Sequence, residues 1–161
     1  MKWFAFPAAL LVFATTAAFA DTLPDRVRAE ASRLLGQVDA VKAAASARPA
    51  LKPAALSPTL VGDLQRLGMS ASRLSLQIDK AGGPADLRCI FRGMAEETDR
   101  HIVAASSAAT GAQQAVALDR LSHVLKDAVE IAPAASATQA LTKTAAVQRA
   151  TAATCRAIGE F

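Results

Sequence analysis

Two histidines in the second half of the sequence each follow a carboxylate by four residues. Glu97 precedes His101, and Asp119 precedes His123. Residues four apart share a helix face, so each pair can point the same way. If the two segments form a helical hairpin, two imidazoles and two carboxylates could bind zinc, copper or iron. Because His123 falls off the apolar stripe of its segment, we favour two ordinary surface pairs.

Methionine and histidine in one bundle also raise the possibility of haem ligation. Met94 and His101 lie on the same stripe of one predicted helix, so they cannot bind the two faces of one haem. Met69 is then the remaining partner for His101. The sequence has no Cys-x-x-Cys-His attachment motif. Core-facing methionines commonly fill gaps, and we expect no cofactor.

Several arginines could form a strip that binds anions, because guanidinium groups bind carboxylate and phosphate with two hydrogen bonds. They are Arg66, Arg73, Arg88, Arg92 and Arg100. Acidic residues at helical spacing offer these arginines local partners, as Glu96 does for Arg100 and Asp86 for Arg88. We therefore favour solvated helix flanks over an anion site.

Serine is abundant, but no spacing marks an activated nucleophile. The sequence contains no G-x-S-x-G, glycine-rich phosphate loop, H-E-x-x-H or S-x-x-K motif. We therefore expect a protein without catalytic activity.

Cys89 and Cys155 are the two cysteines of the chain. An even pair in an oxidising compartment usually bridges, and closing a loop of about 66 residues would stabilise the fold by roughly 4 kcal/mol. A simple antiparallel run of helices would separate them by some 25 Å, whereas a disulfide needs Cα atoms within about 7 Å. Three outcomes stay open: a last helix that crosses the bundle, pairing with another molecule, or two reduced thiols. We favour a disulfide within one chain.

The first twenty residues predict the compartment. Lys2 is followed by an apolar run that closes on the small residues Ala18 and Ala20, and Asp21 is the first charged residue beyond it. A basic start, a short apolar run and small residues before the cut are typical of a cleaved signal peptide. We expect residues 1–20 to be removed and the protein to be periplasmic or secreted.

The expected mature chain, residues 21–161, is long enough for one domain with a real core. The full chain has 18 basic and 14 acidic side chains, and the signal peptide takes one of the basic ones. This mild balance argues against nucleic acid or an anionic membrane as partner. Tyrosine is absent, and only Phe91 and Phe161 are aromatic beyond residue 20. A stacking platform for bases or sugars is therefore not expected.

Alanine-rich composition and apolar steps of three and four predict five helices. Their expected spans are about 24–47, 57–81, 87–106 and 114–132, with a fifth and weakest helix from about Ser136. The second begins at an N-cap and first-turn signature, Ser57-Pro58, and ends at Gly82-Gly83-Pro84. Pro133 is predicted to stop the fourth.

These features predict an all-α fold, an antiparallel bundle of four to five helices. We expect an exported, non-catalytic binding or interaction module for a protein or small-molecule partner, without nucleic-acid binding or stable membrane insertion after cleavage. The alternative is a metal- or haem-binding bundle built on Glu97, His101, Asp119 and His123. The thin apolar face of the fifth helix could also drive assembly into a homo-oligomer.

Overall fold

The computed structural model describes residues 22–142, with side chains described through residue 138. This part of the chain is all-helical. Its elements are α1 (Leu23–Ser46), α2 (Pro58–Lys80), α3 (Ala85–Ser106) and α4 (Gly111–Thr142). None of the four helices combines the length and the hydropathy that a membrane span requires.

The four helices form an antiparallel bundle. α1 packs most extensively on α4 and α2 on α3, while α3–α4 and α1–α2 contacts close the ring. Short turns after α2 and α3 and an eleven-residue connector after α1, residues 47–57, reverse the chain each time. Each helix therefore has two neighbours, and its apolar stripe faces the common centre.

The core follows the predicted stripes and confirms the helical periodicity, except that on α3 Ile102 is buried and His101 is only partly so. Phe91 is fully buried and is the largest side chain at the centre. The other large aliphatic residues that are fully buried are Val27, Leu34, Val38, Leu64, Leu74, Ile78, Leu118, Leu121 and Leu125. Alanines at 31, 71, 105, 128 and 132 are also buried, and their small side chains let the helix backbones approach closely.

The ends of α2 confirm the predicted start and stop signals. The Ser57 hydroxyl accepts a hydrogen bond from the Leu60 amide at 3.1 Å, and Pro58 occupies the first turn. At the other end, Gly82 has a φ of 66° and the Gly83 amide donates to the Ile78 carbonyl at 2.8 Å. This is a Schellman cap, which needs glycine because other residues adopt positive φ at a cost.

The connector is fastened to the start of α4. The amide of Gly111 donates to the Leu51 carbonyl at 2.8 Å, and that of Ala112 donates to the Pro49 carbonyl at 3.0 Å. These bonds satisfy first-turn amides that have no partner inside the helix. A Cβ on Gly111 would meet the Arg48 carbonyl oxygen, so only glycine fits this approach.

The prediction that Pro133 stops the fourth helix is wrong, and so is the predicted start of a separate helix near Ser136. α4 passes through Pro133 and continues to Thr142. Pro133 is exposed, while Ala132 and Ala135 are fully buried on the core side. Packing of this face outweighs the local cost of the proline.

The continuation of α4 to Thr142 extends the helix at the end of the bundle that holds the turn between α2 and α3. A Cβ on Gly83 would lie 3.3 Å from Cγ2 of Thr138, so the last turns of α4 lie beside the turn between α2 and α3. The signal peptide expected at residues 1–20 and the part of the predicted fifth helix beyond residue 142 lie outside the described residues.

Candidate functional site

The four residues of the predicted metal site lie in two separate pairs. Asp119 bonds to Lys42 of α1 at 3.3 Å. His123 Nδ1 lies 2.8 Å from the Asp119 backbone oxygen, so the imidazole donates there, and 3.8 Å from its carboxylate. Glu97 and His101 lie on α3. Within residues 22–142, no three His, Cys, Asp or Glu side chains converge as metal ligands do.

His101 is partly buried beside α4. Burial lowers the pKa of its imidazole, the Glu97 carboxylate opposes this, and the positive charges of Arg100 and Arg120 add to the lowering. The neutral ring is therefore favoured over the imidazolium. The predicted haem partners do not surround it, because Met94 is buried in the core and Met69 lies on the outer surface of α2.

A polar network at the α1–α4 interface was not predicted from the sequence. The Lys42 ammonium lies 2.9 Å from the Asp39 carboxylate and 3.3 Å from that of Asp119. The fully buried Ser122 hydroxyl donates to Asp39 at 2.9 Å. Asp39 and Lys42 are three apart on α1 and visible in the sequence, but their register against α4 is not.

This network holds the helices together and lacks the features of a catalytic site. Hydrogen bonds from Lys42 and Ser122 lower the pKa of Asp39, and the bond to Asp39 raises the pKa of Lys42. A lysine held protonated by two carboxylates does not serve as a general base. Ser122 is fully buried, so its hydroxyl is closed to a substrate.

A buried carboxylate links α1 to α2 by ion pairs. Asp63 is only 6% exposed. Its carboxylate pairs with Arg33 of α1 at 2.8 Å and with Arg66 on its own helix. A buried carboxylate needs such partners, because an unpaired buried charge is costly.

The predicted arginine strip is mostly neutralised, although by different partners than the sequence indicated. Besides Arg66, two of its members are paired: Arg88 with Asp79, and Arg92 with Glu96 at 3.2 Å. Arg73 and Arg100 form no ion pair within the described part of the chain.

Arg73 instead lines a shallow groove on the outer side of α2 and α3, opposite the core. We call this the α2–α3 groove, and its lining residues are Gln65, Met69, Ser72, Arg73 and Asp99. Met69 is 52% exposed, which is unusual for a large apolar side chain. Two further exposed apolar residues flank the groove, Leu76 on α2 at 58% and Val103 on α3 at 66%.

The charged groups of the groove are not used inside the protein. Arg73 and Asp99 make no ion pair with each other or with any other described residue. In contrast, polar groups of the interior tie helices to one another, as Gln114 does by donating to the carbonyls of Ala54 and Ala105. The α2–α3 groove is therefore the candidate functional site, and it offers one cation, one anion and apolar surface.

Sequence reasoning found Arg73 only as one of several arginines and Met69 only as a possible haem partner, and it did not select Asp99, Leu76 or Val103. The signal was present but weak. Met69, Leu76 and Val103 lie off the heptad stripes of helices whose stripes are otherwise regular. An apolar residue off the stripe is exposed unless another element covers it.

Cys89 lies in the second turn of α3, near the end of the bundle where α4 finishes. Its predicted partner, Cys155, lies outside the described residues. The disulfide therefore stays a prediction.

Comparisons with protein-family models, curated proteins and solved structures find no match to this chain.

Proposed function

We propose that this protein is an exported, non-catalytic binding module that contacts its partner through the α2–α3 groove and the flanking Leu76 and Val103. The proposal rests on a difference in ion pairing between the charged side chains of the interior and those of the groove. Interior charges are paired across helices, whereas Arg73 and Asp99 have no partner among the described residues beside an exposed Met69.

Apolar exposure supports a macromolecular partner. Large apolar side chains that stay exposed next to one another and are rimmed by polar groups mark interaction sites. The groove is shallow and open, so it would bury little of a small molecule, whereas binding pockets for small molecules enclose most of their ligand. A protein surface can cover a shallow groove and its flanks together.

Charge supports a protein partner over nucleic acid. The groove offers one cation balanced by one anion, and the neighbouring Arg92 is paired with Glu96. Nucleic-acid binding depends on a surplus of positive charge along the phosphate backbone. The α2–α3 groove has no such surplus.

Export is the part of the proposal that depends on residues 1–20. The full chain should be expressed in a Gram-negative host, the periplasm released by osmotic shock, and the N-terminus sequenced. We expect a periplasmic product that begins at Asp21. An uncut chain confined to the cytosol would contradict export.

Binding through the groove is tested in the same host with a photo-reactive amino acid at position 76. The control carries it at position 116, because Val116 is 64% exposed but lies on α4. We expect an adduct from position 76 that is absent from position 116. Equal adduct yields from both positions would contradict the proposed surface.

A further inference from the structure

We infer that the partner of the α2–α3 groove is a second copy of this chain, bound about a two-fold axis that passes beside Met69. This inference rests on the proposed binding role of the groove and names its occupant. It is carried by the order in which charged and apolar side chains follow one another along the groove.

The register of α2 against α3 sets that order. The two helices are antiparallel, with the Ser75 hydroxyl donating to the Arg88 carbonyl at 2.9 Å. A Cβ on Gly68 would lie 3.9 Å from Oδ1 of Asp99. Asp99 is therefore level with the stretch of α2 just before Met69.

Arg73 lies on the other side of Met69, one helical turn further along α2. At 1.5 Å of rise per residue, the four residues from Met69 to Arg73 span about 6 Å along the axis. The Asp99 carboxylate lies on the opposite side, beside Gly68, and lines the same groove. Anion, methionine and cation thus follow in line.

The flanking apolar residues extend this order symmetrically. Leu76 lies just under one turn beyond Arg73 on α2. Val103 lies one turn beyond Asp99 on α3, on the side away from Met69. Along the groove the sequence of surface groups is Leu76, Arg73, Met69, Asp99, Val103.

This order is self-complementary under a two-fold axis. In an isologous dimer, a group on one side of the axis meets the group at the equal distance on the other side of the second copy. With the axis beside Met69, midway between the two charges, Arg73 meets Asp99 of the second copy, twice. Leu76 meets Val103 of the second copy.

Two neighbouring arginines do not compete for these contacts. Arg66 is held by Asp63, and Arg92 is held by Glu96. Arg73 and Asp99 lack such partners in the described chain, so pairing them across a dimer costs no existing ion pair. Five lining and two flanking residues per copy make a small interface, and small interfaces give reversible association.

Charge reversal tests the inference on the purified mature protein. We expect the wild type to show a concentration-dependent monomer–dimer equilibrium in sedimentation. Arg73→Asp and Asp99→Arg each set like charges against each other at two contacts and should raise the dimer dissociation constant at least about tenfold. The matched control is Arg120→Asp, which changes an exposed arginine of α4 by the same charge and should leave the constant unchanged.

Mixing the two single variants gives the decisive readout. In a dimer of one Arg73→Asp chain and one Asp99→Arg chain, both contacts again join opposite charges, so association should return. If Arg73 and Asp99 instead paired within one chain, mixing the two single variants would not restore the ion pair. The double variant should also dimerise, and far-UV circular dichroism should show the same helix content throughout. A strictly monomeric wild type, or single variants that stay apart when mixed, would overturn the inference.

The crosslink from position 76 separates this inference from the proposed function. An adduct of twice the chain mass supports both. An adduct with a different protein overturns self-pairing and leaves the binding role intact. Absence of any adduct overturns both.

Discussion

Lys42 in α1 and Asp119 in α4 form an ion pair across the most extensive helix interface, with Nζ 3.3 Å from Oδ1. The same ammonium bonds to Asp39 at 2.9 Å. One cation therefore links two carboxylates on different helices. This arrangement stabilises the bundle and, because the groups are partly exposed, does so modestly.

We predict that Lys42→Met lowers the free energy of unfolding by roughly 1 kcal/mol or less, because Asp39 and Asp119 lose their shared cation. Lys52→Met, in the exposed connector, is the control and should change little. Urea unfolding at neutral pH measures both. Equal stability of the two variants would contradict the role of Lys42.

The pH dependence of this effect has a definite sign. The pKa of Asp39 is lowered from 3.8, so its contribution is complete above that value and is lost as pH falls through the folded-state pKa. The pKa of Lys42 is raised from 10.5, so its contribution is complete below that value and is lost at higher pH. The stability difference between wild type and Lys42→Met should be constant between these limits and shrink at both extremes.

His101 should make the fold less stable in mild acid. Burial, with Arg100 and Arg120, lowers its pKa from 6.5 against the opposing charge of Glu97. The unfolded chain then binds this proton more readily than the folded chain, so stability falls as pH drops below 6.5. We predict that His101→Gln reduces this fall. Unfolding curves at several pH values check it, and equal pH dependence in both proteins would count against the prediction.

Gly111 permits the close approach of the connector to α4. A Cβ there would lie 2.5 Å from the Ala45 carbonyl oxygen, which is backbone and cannot rotate away. We predict that Gly111→Ala lowers the free energy of unfolding by about 1–3 kcal/mol, in the range of overpacked sites. The control is Gly36→Ala in α1, where a Cβ meets nothing within 4 Å. That change should stabilise by about 1 kcal/mol, since alanine favours helix over glycine. A stabilising Gly111→Ala would contradict the prediction.

The helices could be predicted from the sequence because their apolar residues recur regularly at steps of three and four. Leu64, Leu74 and Phe91 follow the apolar steps of three and four from which the helices were predicted, and all three are fully buried. The same reasoning could not select the groove, because it judged each arginine by acidic residues nearby in sequence. Which charges stay unpaired depends on the register of α2 against α3, and that register depends on the packing of the whole bundle.

The predicted disulfide joins α3 to the part of the chain beyond α4. The last described turns of α4 lie beside the turn between α2 and α3, as the approach of Thr138 to Gly83 shows. α4 therefore ends at the end of the bundle where Cys89 lies. Cys155 follows the last residue of α4, Thr142, in the sequence.

We predict a Cys89–Cys155 disulfide within one chain of the exported protein. Non-reducing peptide mapping should yield the linked pair, and reduction should lower the free energy of unfolding by up to about 4 kcal/mol. Cys155→Ser should remove the effect of reductant. Two alkylatable thiols in protein taken from the periplasm would contradict the bridge.

Pro133 should cost stability because α4 passes through it. A proline in a helix interior removes one backbone hydrogen bond and crowds the preceding turn. Pro133 is exposed, so alanine can replace it without disturbing the core face of Ala132 and Ala135. We predict that Pro133→Ala raises the free energy of unfolding by up to about 3 kcal/mol. Pro58→Ala is the control, because Pro58 occupies the first turn of α2, where a proline costs the helix no bond. Calorimetric unfolding compares the two variants. If Pro133→Ala raises the free energy of unfolding no more than Pro58→Ala does, the prediction that Pro133 destabilises α4 is wrong.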